Sequence, residues 1–271
     1  MKKLSQITGL FFILCALALS APSKDYWGKW AVFNPTSSRQ IDFSPWQQFL
    51  DKYLIIKNGQ SYVNYHKVTQ KDKALLKQFS NTLSQLTIED YNRNEQMAYW
   101  INLYNLLTVE EILTHPTVKS ITDIDTNWLG QSKVWDKTVI IIDNTKITLN
   151  DIEHRILRPI WNDPRIHAAV NCASISCPNL AAFAFEGDKI NHQLNEVFST
   201  FVNSAKGVKL KGNSIYLSKI FDWYGSDFGN EQQMRQFIAF FVKSATLKAK
   251  LLNANNSLSY QSYNWNLNQL N

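Results

Sequence analysis

The sequence predicts an α+β fold, a single domain with mixed helices and a small, mainly antiparallel sheet. Segments with helical periodicity alternate with short β-branched runs, without the regular βαβ rhythm of a parallel sheet. Aromatic residues make up 13% of the chain and include nine tryptophans, which argues against disorder. No repeat, low-complexity stretch or flexible linker divides the 271 residues, so we expect one large core.

The first element, residues 1–20, has the composition of a secretory signal peptide. Lys2 and Lys3 precede an apolar run over residues 10–19, and a small-residue cleavage site ends at Ser20. The run is shorter than the roughly 20 apolar residues that span a bilayer. We therefore expect cleavage after Ser20 and a secreted or periplasmic protein that retains no transmembrane segment.

Cys15 lies inside this apolar run and follows the large Leu14. Cleavage of a lipoprotein before a cysteine needs a small residue at that place, so lipidation is the less favoured alternative. The expected organisation is a signal peptide over residues 1–20, an N-terminal extension over 21–44 and one domain over 45–268.

Helical periodicity and capping signals predict the helices in order. Ser44 and Pro45 resemble an N-cap and first helical residue, and Thr148 with Asp151 has the spacing of a capping box. The third helix is apolar nearly all round, which is typical of a buried helix, and Pro116 ends it. The expected helices cover residues 44–55, 71–86, 94–113, a short segment after 148, 188–203 and 231–244.

Short β-branched runs predict the strands. A run over residues 134–142 turns at Asp143 and Asn144, and Gly212 and Asn213 mark a hairpin. The expected strands cover residues 134–142, 165–171, 208–210 and 215–217, with an edge strand within 257–266.

The charge balance excludes one class of partner. The whole chain carries +6, and without Lys2 and Lys3 it has 26 basic and 22 acidic residues, or +4. The basic residues are scattered, so we expect no nucleic-acid binding. The partner stays unknown; a peptide-like or cell-envelope ligand is the expectation.

Residues 163–178 hold the main candidates for reactive side chains, which are His167, Cys172 and Cys177. In a strand over residues 165–171, alternation would place Cys172 opposite His167, so a dyad requires the strand to end or twist at Asn171. Pro178 could begin a helix with Cys177 as its N-cap, where the helix dipole lowers a thiol pKa. Each cysteine therefore has one feature that favours a nucleophile.

The two cysteines also admit plainer interpretations. In an oxidising space they could form a local disulfide, which would stabilise the fold by about 2 kcal/mol, or they could be inert buried thiols. Cys172, Cys177 and His167 offer three possible zinc ligands, but their spacing fits no standard pattern. The sequence therefore predicts no metal site and no cofactor.

Other polar residues occur in apolar surroundings. Asn102 and Asn105 lie on the buried third helix, where an amide either binds neighbouring backbone or lines a cleft. Glu153 and His154, with Arg158 one turn later, form a surface charge cluster or a base held by a carboxylate.

A second acidic pair, Asp222 and Asp227, flanks Trp223 and Tyr224. Such an acid either caps the following helix or orients a histidine. Trp223 and Asn171 complete the candidates for substrate binding.

Several motifs, in this order, resemble the DUF547 family, which was named for an unknown function. They cover residues 98–105, 148–158, 163–167, 172–178, 221–228 and 263–268, within a resemblance that extends over roughly 45–268. The resemblance implies an affinity to papain-like or transglutaminase-like cysteine folds and, for bacterial members, frequent export. The motif positions are Asn102, Asn105, Glu153, His154, His167, Cys172, Cys177 and Asp227, and the resemblance carries no roles for them.

The chain departs from a papain-like order, in which a cysteine begins the central helix and His follows it. Here His154 and His167 precede both thiols, and only His192 follows them. A permuted arrangement remains possible because triads depend on geometry rather than order.

The leading hypothesis is an exported cysteine-dependent hydrolase or acyltransferase that acts on a peptide-like amide. Its nucleophile is Cys172, with Cys177 as the rival, and its base is His167 or His154. Asp227 or Glu153 orients the base, and Asn102 or Asn105 supplies an oxyanion donor. The alternative is a non-catalytic envelope binding or scaffold domain with a Cys172–Cys177 disulfide.

Overall fold

The computed structural model describes residues 21–128, 132–212 and 214–270. About 49% of the described residues are helical and 14% are in strands, so the expected single α+β domain is confirmed. The predicted signal peptide with Cys15, and Asn213 of the predicted hairpin, lie outside the described residues.

Helices and strands interleave along the described chain. The helices are α1 Ser44–Tyr53, α2 Gln70–Ser84, α3 Arg93–Thr114, π-helical turns over Asp151–Leu157 that continue into α4 Arg158–Trp161, α5 Ile190–Val202, α6 Ile220–Trp223, α7 Glu231–Phe241 and α8 Ala245–Leu252. The strands are β1 Leu54–Lys57, β2 Gln60–Val63, β3 Thr138–Ile142, β4 Thr145–Thr148, β5 Val208–Lys211, β6 Ser214–Leu217 and β7 Leu258–Tyr260.

The strands of the described residues form three small sheets rather than one. β1 pairs with β2, β3 with β4, and β5 with β6, all antiparallel. β7 adds to the edge of β6 in parallel register. Each sheet is too small to enclose a core, so the helices do so.

Helix α3 is the centre of the core. The Asn92 side chain caps its first turn by accepting from the Asn94 and Glu95 amides, and its residues from 95 to 109 are all buried. The N-terminal extension joins the same core, because Trp30 is buried and contacts Trp100 edge-to-face at 5.2 Å. The expected burial of this helix is therefore confirmed. None of the described helices is both long and apolar enough to cross a membrane.

Two predicted boundaries are wrong. Helix α1 ends at Tyr53 because residues 54–57 pair with β2, and its cap position is Phe43 rather than Ser44, whose hydroxyl binds Asp42. Residues 134–136 form a 3-10 turn, so the predicted strand over 134–142 begins only at Thr138.

The predicted strand over residues 165–171 is wrong. Pro164–Ala168 is a 3-10 helix, because the Asp163 side chain accepts from the Arg165 amide and Pro164 stands at the first helical position. The helix predicted after Pro178 is also absent from the described chain, where residues 178–180 are irregular. Cys177 therefore does not cap a helix.

Two predicted local features, a turn and a helix cap, are confirmed. Asp143 and Asn144 turn the chain with positive φ angles of 45° and 54°. Thr148 and Asp151 bind each other's backbone amides reciprocally, at 2.9 and 3.0 Å. These contacts start the helical segment that carries Glu153, His154 and Arg158.

Candidate functional site

A cavity of about 260 Å³ lies between the π-helical turns, the loop after residue 168, α6 and the C-terminal segment. The fold brings six of the predicted site residues to this cavity, although they come from three separate segments. They are Glu153, His154, His167, Cys172, Cys177 and Trp223.

A tight loop places the two cysteines against each other. Ala173 adopts a positive φ of 56°, and the Asn171 side chain accepts from its amide at 2.8 Å. The Cys172 amide donates to Cys177 Sγ at 3.1 Å. Both cysteines are free thiols in the structure, so the loop holds them in contact without a bridge.

Hydrogen-bond donors surround the Cys172 sulfur. The hydroxyls of Ser174 and Tyr263 each lie 3.2 Å from Sγ. The hydrogen bond from the Cys177 thiol lowers the pKa of Cys172 most; burial opposes it, and the two hydroxyls add to the lowering, giving a pKa of about 7. Ser174 donates to the Tyr263 hydroxyl at 3.0 Å, which leaves the Tyr263 proton to donate to Sγ. This contact stabilises the thiolate form, which is the nucleophilic one.

Cys177 has the opposite environment. It is only 3% exposed, and burial together with its hydrogen bond to Cys172 raises the pKa of Cys177 well above its ordinary value. The expected activation of Cys177 by a helix dipole therefore does not occur. Cys177 stays protonated, and its thiol donates to the Val170 carbonyl at 3.9 Å.

Arg158 fixes the tautomer of His154. Its Nη1 lies 2.8 Å from His154 Nδ1, and because a guanidinium only donates, Nδ1 accepts and the proton lies on Nε2. Burial lowers the pKa of His154, with Glu153 opposing and Arg158 adding to the shift. His154 is therefore a neutral ring at pH 7 that presents an N–H donor from the cavity lining.

His167 is held between two carboxylates. Its Nε2 lies 2.8 Å from Asp227 Oδ2, and its Nδ1 lies 3.6 Å from Glu153 Oε1. The Tyr224 ring covers it, with centroids 4.0 Å apart. No histidine is a hydrogen-bond partner of Cys172 within the described residues, so the expected Cys–His dyad is not formed.

Asp227 joins His167 to a buried ion pair. Arg158 binds both carboxylate oxygens through Nε at 2.7 Å and Nη2 at 3.0 Å, and Lys24 lies 3.3 Å away. Burial opposes ionisation, but His167 and Arg158 hold the pKa of Asp227 below its usual range. Burial would also raise the pKa of Glu153, whereas His154 and His167 bring it to about 2. Both carboxylates are thus ionised at neutral pH.

The side chains of Asn102, Asn105 and Asn171 bind backbone groups rather than line the cavity. Asn102 binds both the amide and the carbonyl of Phe185. Asn105 binds the Ala169 carbonyl at 2.9 Å and the Asn171 amide at 2.8 Å.

Asn171 in turn donates to the carbonyl of Pro178 at 2.7 Å. These contacts fix the cysteine loop on α3 and use the amides that were expected to donate to substrate. None of the three asparagines lines the cavity.

Four rings, which we call the aromatic wall, cover one side of the cavity. Trp223 stacks on Trp265 at 5.7 Å and 23°, and Trp135 contacts Trp265 at 5.7 Å. Tyr263 lies 4.5 Å from Trp265. Trp223 was expected to face substrate, whereas no sequence pattern placed the other three rings beside it.

The N-terminal extension lies along the opposite rim. The Asp25 and Trp27 amides donate to the carbonyls of His154 and Arg155, each at 3.1 Å. Arg158 donates to the Pro22 carbonyl at 2.6 Å, and Pro22 lines the cavity. The site therefore already binds an extended backbone segment of its own chain.

Sequence analysis missed Ser174, Tyr263 and Tyr224. Ser174 and Tyr263 lie inside motifs that carry the family resemblance, which could have drawn attention to them. The described residues contain no cluster of three or more His, Cys, Asp or Glu side chains that could hold a metal ion. Asp222, the other acid of its motif, pairs instead with Lys219 at 2.5 Å.

Comparison with known proteins identifies one similarity. The family model described as "Protein of unknown function, DUF547" matches residues 88–202. This range contains α3, both cysteines, Glu153, His154 and His167, and it supports the resemblance to that family over this part of the chain. No curated protein and no solved structure matches the chain.

Proposed function

We propose that this protein is a thiolate-dependent hydrolase or acyltransferase that acts on a peptide-like amide, with Cys172 as its nucleophile. The observation that carries the proposal is the set of hydrogen-bond donors around Cys172 Sγ inside a cavity. Cys177, which has no hydroxyl beside its sulfur, has a pKa that burial raises.

The proposed activation needs no histidine base. With a pKa of about 7, Cys172 is about half ionised at neutral pH. Its proton has already left before substrate binds, and the thiolate attacks the carbonyl carbon directly. The missing Cys–His contact is therefore compatible with catalysis.

His154 has the properties of an electrophilic partner. Its Nε2 carries a proton, has no hydrogen-bond partner among the described residues and belongs to a ring that lines the cavity. A neutral imidazole N–H can stabilise the negative charge that develops on a carbonyl oxygen. In this proposal His154 replaces Asn102 and Asn105 as the oxyanion donor, and His167 with its two carboxylates positions the helix that carries His154.

Two features support a peptide-like substrate. Arg158 and the backbone of residues 154–155 already bind an extended segment at the rim. The aromatic wall offers an apolar surface for a side chain or an acyl group beside Cys172.

We also propose that the protein works outside the cytoplasm, in the periplasm or as a secreted bacterial protein. Support comes from the composition of residues 1–20. A thiolate enzyme in an oxidising compartment would depend on the state of its two cysteines, which the structure holds as free thiols. The alternative, a non-catalytic scaffold domain, would hold Cys172 and Cys177 as a disulfide.

The test is the formation of an acyl-enzyme. We expect that incubation with p-nitrophenyl acyl esters, and then with peptide thioesters, gives one acyl adduct per chain by intact mass. Peptide mapping should place the adduct on Cys172. Cys172→Ala should give no adduct, and His192→Ala, an exposed change outside the cavity, should acylate like the wild type. An adduct that survives Cys172→Ala, or a wild-type chain that never acylates, would contradict the proposal.

A further inference from the structure

We propose that Cys172 and Cys177 form a redox pair that reduces an organic hydroperoxide, with Cys172 as the attacking and Cys177 as the resolving sulfur. This inference goes beyond the proposed acyl chemistry, because acyl transfer needs only one sulfur and the redox cycle needs both. Two observations carry it: the contact between the Cys172 amide and the Cys177 sulfur, and the shared position of both cysteines on the cavity lining.

The loop already holds the two sulfur-bearing side chains together. The Cys172 amide donates to Cys177 Sγ at 3.1 Å, and the Cys177 amide donates to the Ser174 carbonyl at 3.2 Å. Both residues line the same cavity. A resolving cysteine must reach its partner, and here no chain segment has to move between them.

The environments of the two sulfurs also assign their roles. Cys172 is partly exposed and receives the Ser174 and Tyr263 hydroxyls. Cys177 is 3% exposed, and its Sγ accepts from the Cys172 amide at 3.1 Å. A partly exposed thiolate beside a buried, protonated thiol on the same cavity lining is the arrangement that sulfenic acid formation followed by disulfide formation requires.

The chemistry balances in two steps. The Cys172 thiolate attacks the terminal oxygen of ROOH, the O–O bond breaks, and the alkoxide takes a proton from a neighbouring hydroxyl or solvent to leave as ROH. The Cys177 sulfur then attacks the sulfenic sulfur, and hydroxide leaves with the Cys177 proton as water. The pair loses two electrons and the peroxide gains two, and an external dithiol returns the disulfide to two thiols.

The cavity indicates the class of peroxide. The aromatic wall stands beside Cys172, through Tyr263, whose hydroxyl lies 3.2 Å from Sγ. Apolar walls favour an alkyl or aryl hydroperoxide over hydrogen peroxide, since only the former buries apolar surface there. We therefore expect cumene hydroperoxide to react faster than hydrogen peroxide, by about tenfold or more for the buried area of one aromatic ring.

The test uses the reduced full chain, cumene hydroperoxide and intact mass. Wild type should lose two hydrogen atoms as the disulfide forms, and dithiothreitol should restore turnover of peroxide. Cys177→Ser keeps a hydrogen-bond donor beside Cys172 and should stop at the sulfenic acid, which dimedone traps as an adduct on residue 172. Cys172→Ser should consume cumene hydroperoxide no faster than a protein-free control.

Three outcomes would overturn the inference. They are a wild-type chain that keeps two free thiols in the presence of peroxide, a Cys172→Ser chain that consumes peroxide at the wild-type rate, and a Cys177→Ser chain that regenerates its thiol as fast as wild type. The redox readout is separate from the acyl adduct, because the first is measured as a disulfide and the second as an added acyl group. Circular dichroism of each variant ensures that the compared chains are folded.

Discussion

Replacement of Asp227 by alanine is expected to lower the free energy of unfolding by about 3–5 kcal/mol. The variant removes the two carboxylate oxygens that accept from Nε and Nη2 of Arg158, whose side chain is 3% exposed, and it removes the Nε2 partner of His167. A buried cation without its partner costs far more than the loss of one surface ion pair. Urea denaturation, followed by fluorescence of the nine tryptophans, measures the change.

Asp222 offers a matched control five residues away. It pairs with Lys219 at 2.5 Å, but both side chains are about one-third exposed, so Asp222→Ala should change the free energy of unfolding by less than about 1 kcal/mol. Equal effects of the two substitutions would show that the Arg158–Asp227 pair does not hold the site together.

The Arg158–Asp227 ion pair also makes the free energy of unfolding depend on pH in the acid range. The pKa of Asp227 is lowered in the folded chain, so its contribution is present above the ordinary aspartate pKa and is lost as the pH falls through the folded value. The stabilising contribution of Glu153 is likewise lost as the pH falls from its ordinary pKa of 4.5 to its folded pKa of about 2. The difference in free energy of unfolding between the wild type and Asp227→Ala should therefore become smaller when the measurement is repeated at low pH.

Removal of the His154 ring is expected to slow acylation of Cys172 by about 10²–10³-fold, the usual effect of losing one oxyanion donor. Because Cys172 is ionised by other donors, the pH at which its reactivity is half-maximal should stay near 7 in His154→Ala. The rate is measured with p-nitrophenyl esters across a pH series, with substrate both below and above KM.

A general-base role for His154 makes the opposite prediction. Loss of a base would move the pH profile upward toward the ordinary thiol pKa, in addition to lowering the rate. His154→Gln, which keeps a side-chain N–H, should recover part of the rate if the ring acts as a donor. A shifted pH profile in His154→Ala, with no recovery in His154→Gln, would assign the ring as a base instead.

The parts of the fold that local chemistry determines follow from the sequence. Helix α3, the Asp143–Asn144 turn and the Thr148–Asp151 cap each depend on residues within one or two turns of each other. Residues 165–171 have the alternating pattern of a strand, yet the Asp163 and Pro164 signals immediately before them start a 3-10 helix. There a local capping signal outweighed β propensity, and it was readable in the sequence.

The composition of the site was predictable, but its pairings were not. Cysteines, histidines and acids in apolar surroundings identify the candidates, and six of them meet in one cavity. Their partners are distant in sequence: Arg158 and Asp227 are 69 residues apart, and Cys172 and Tyr263 are 91 apart. No periodicity or spacing encodes such contacts, so the donor shell of Cys172 and the tautomer of His154 emerge only from the fold.

The most direct test of the central claim is the pH dependence of Cys172 alkylation in the folded, reduced protein. Iodoacetamide labelling from about pH 5 to about pH 10, with mass mapping of the peptide that contains both cysteines, separates the two sulfurs. If Cys172 is the activated thiolate, it is labelled with a midpoint near pH 7, while Cys177 stays unlabelled throughout. Labelling of Cys172 only near the ordinary thiol pKa, or faster labelling of Cys177, would contradict this role.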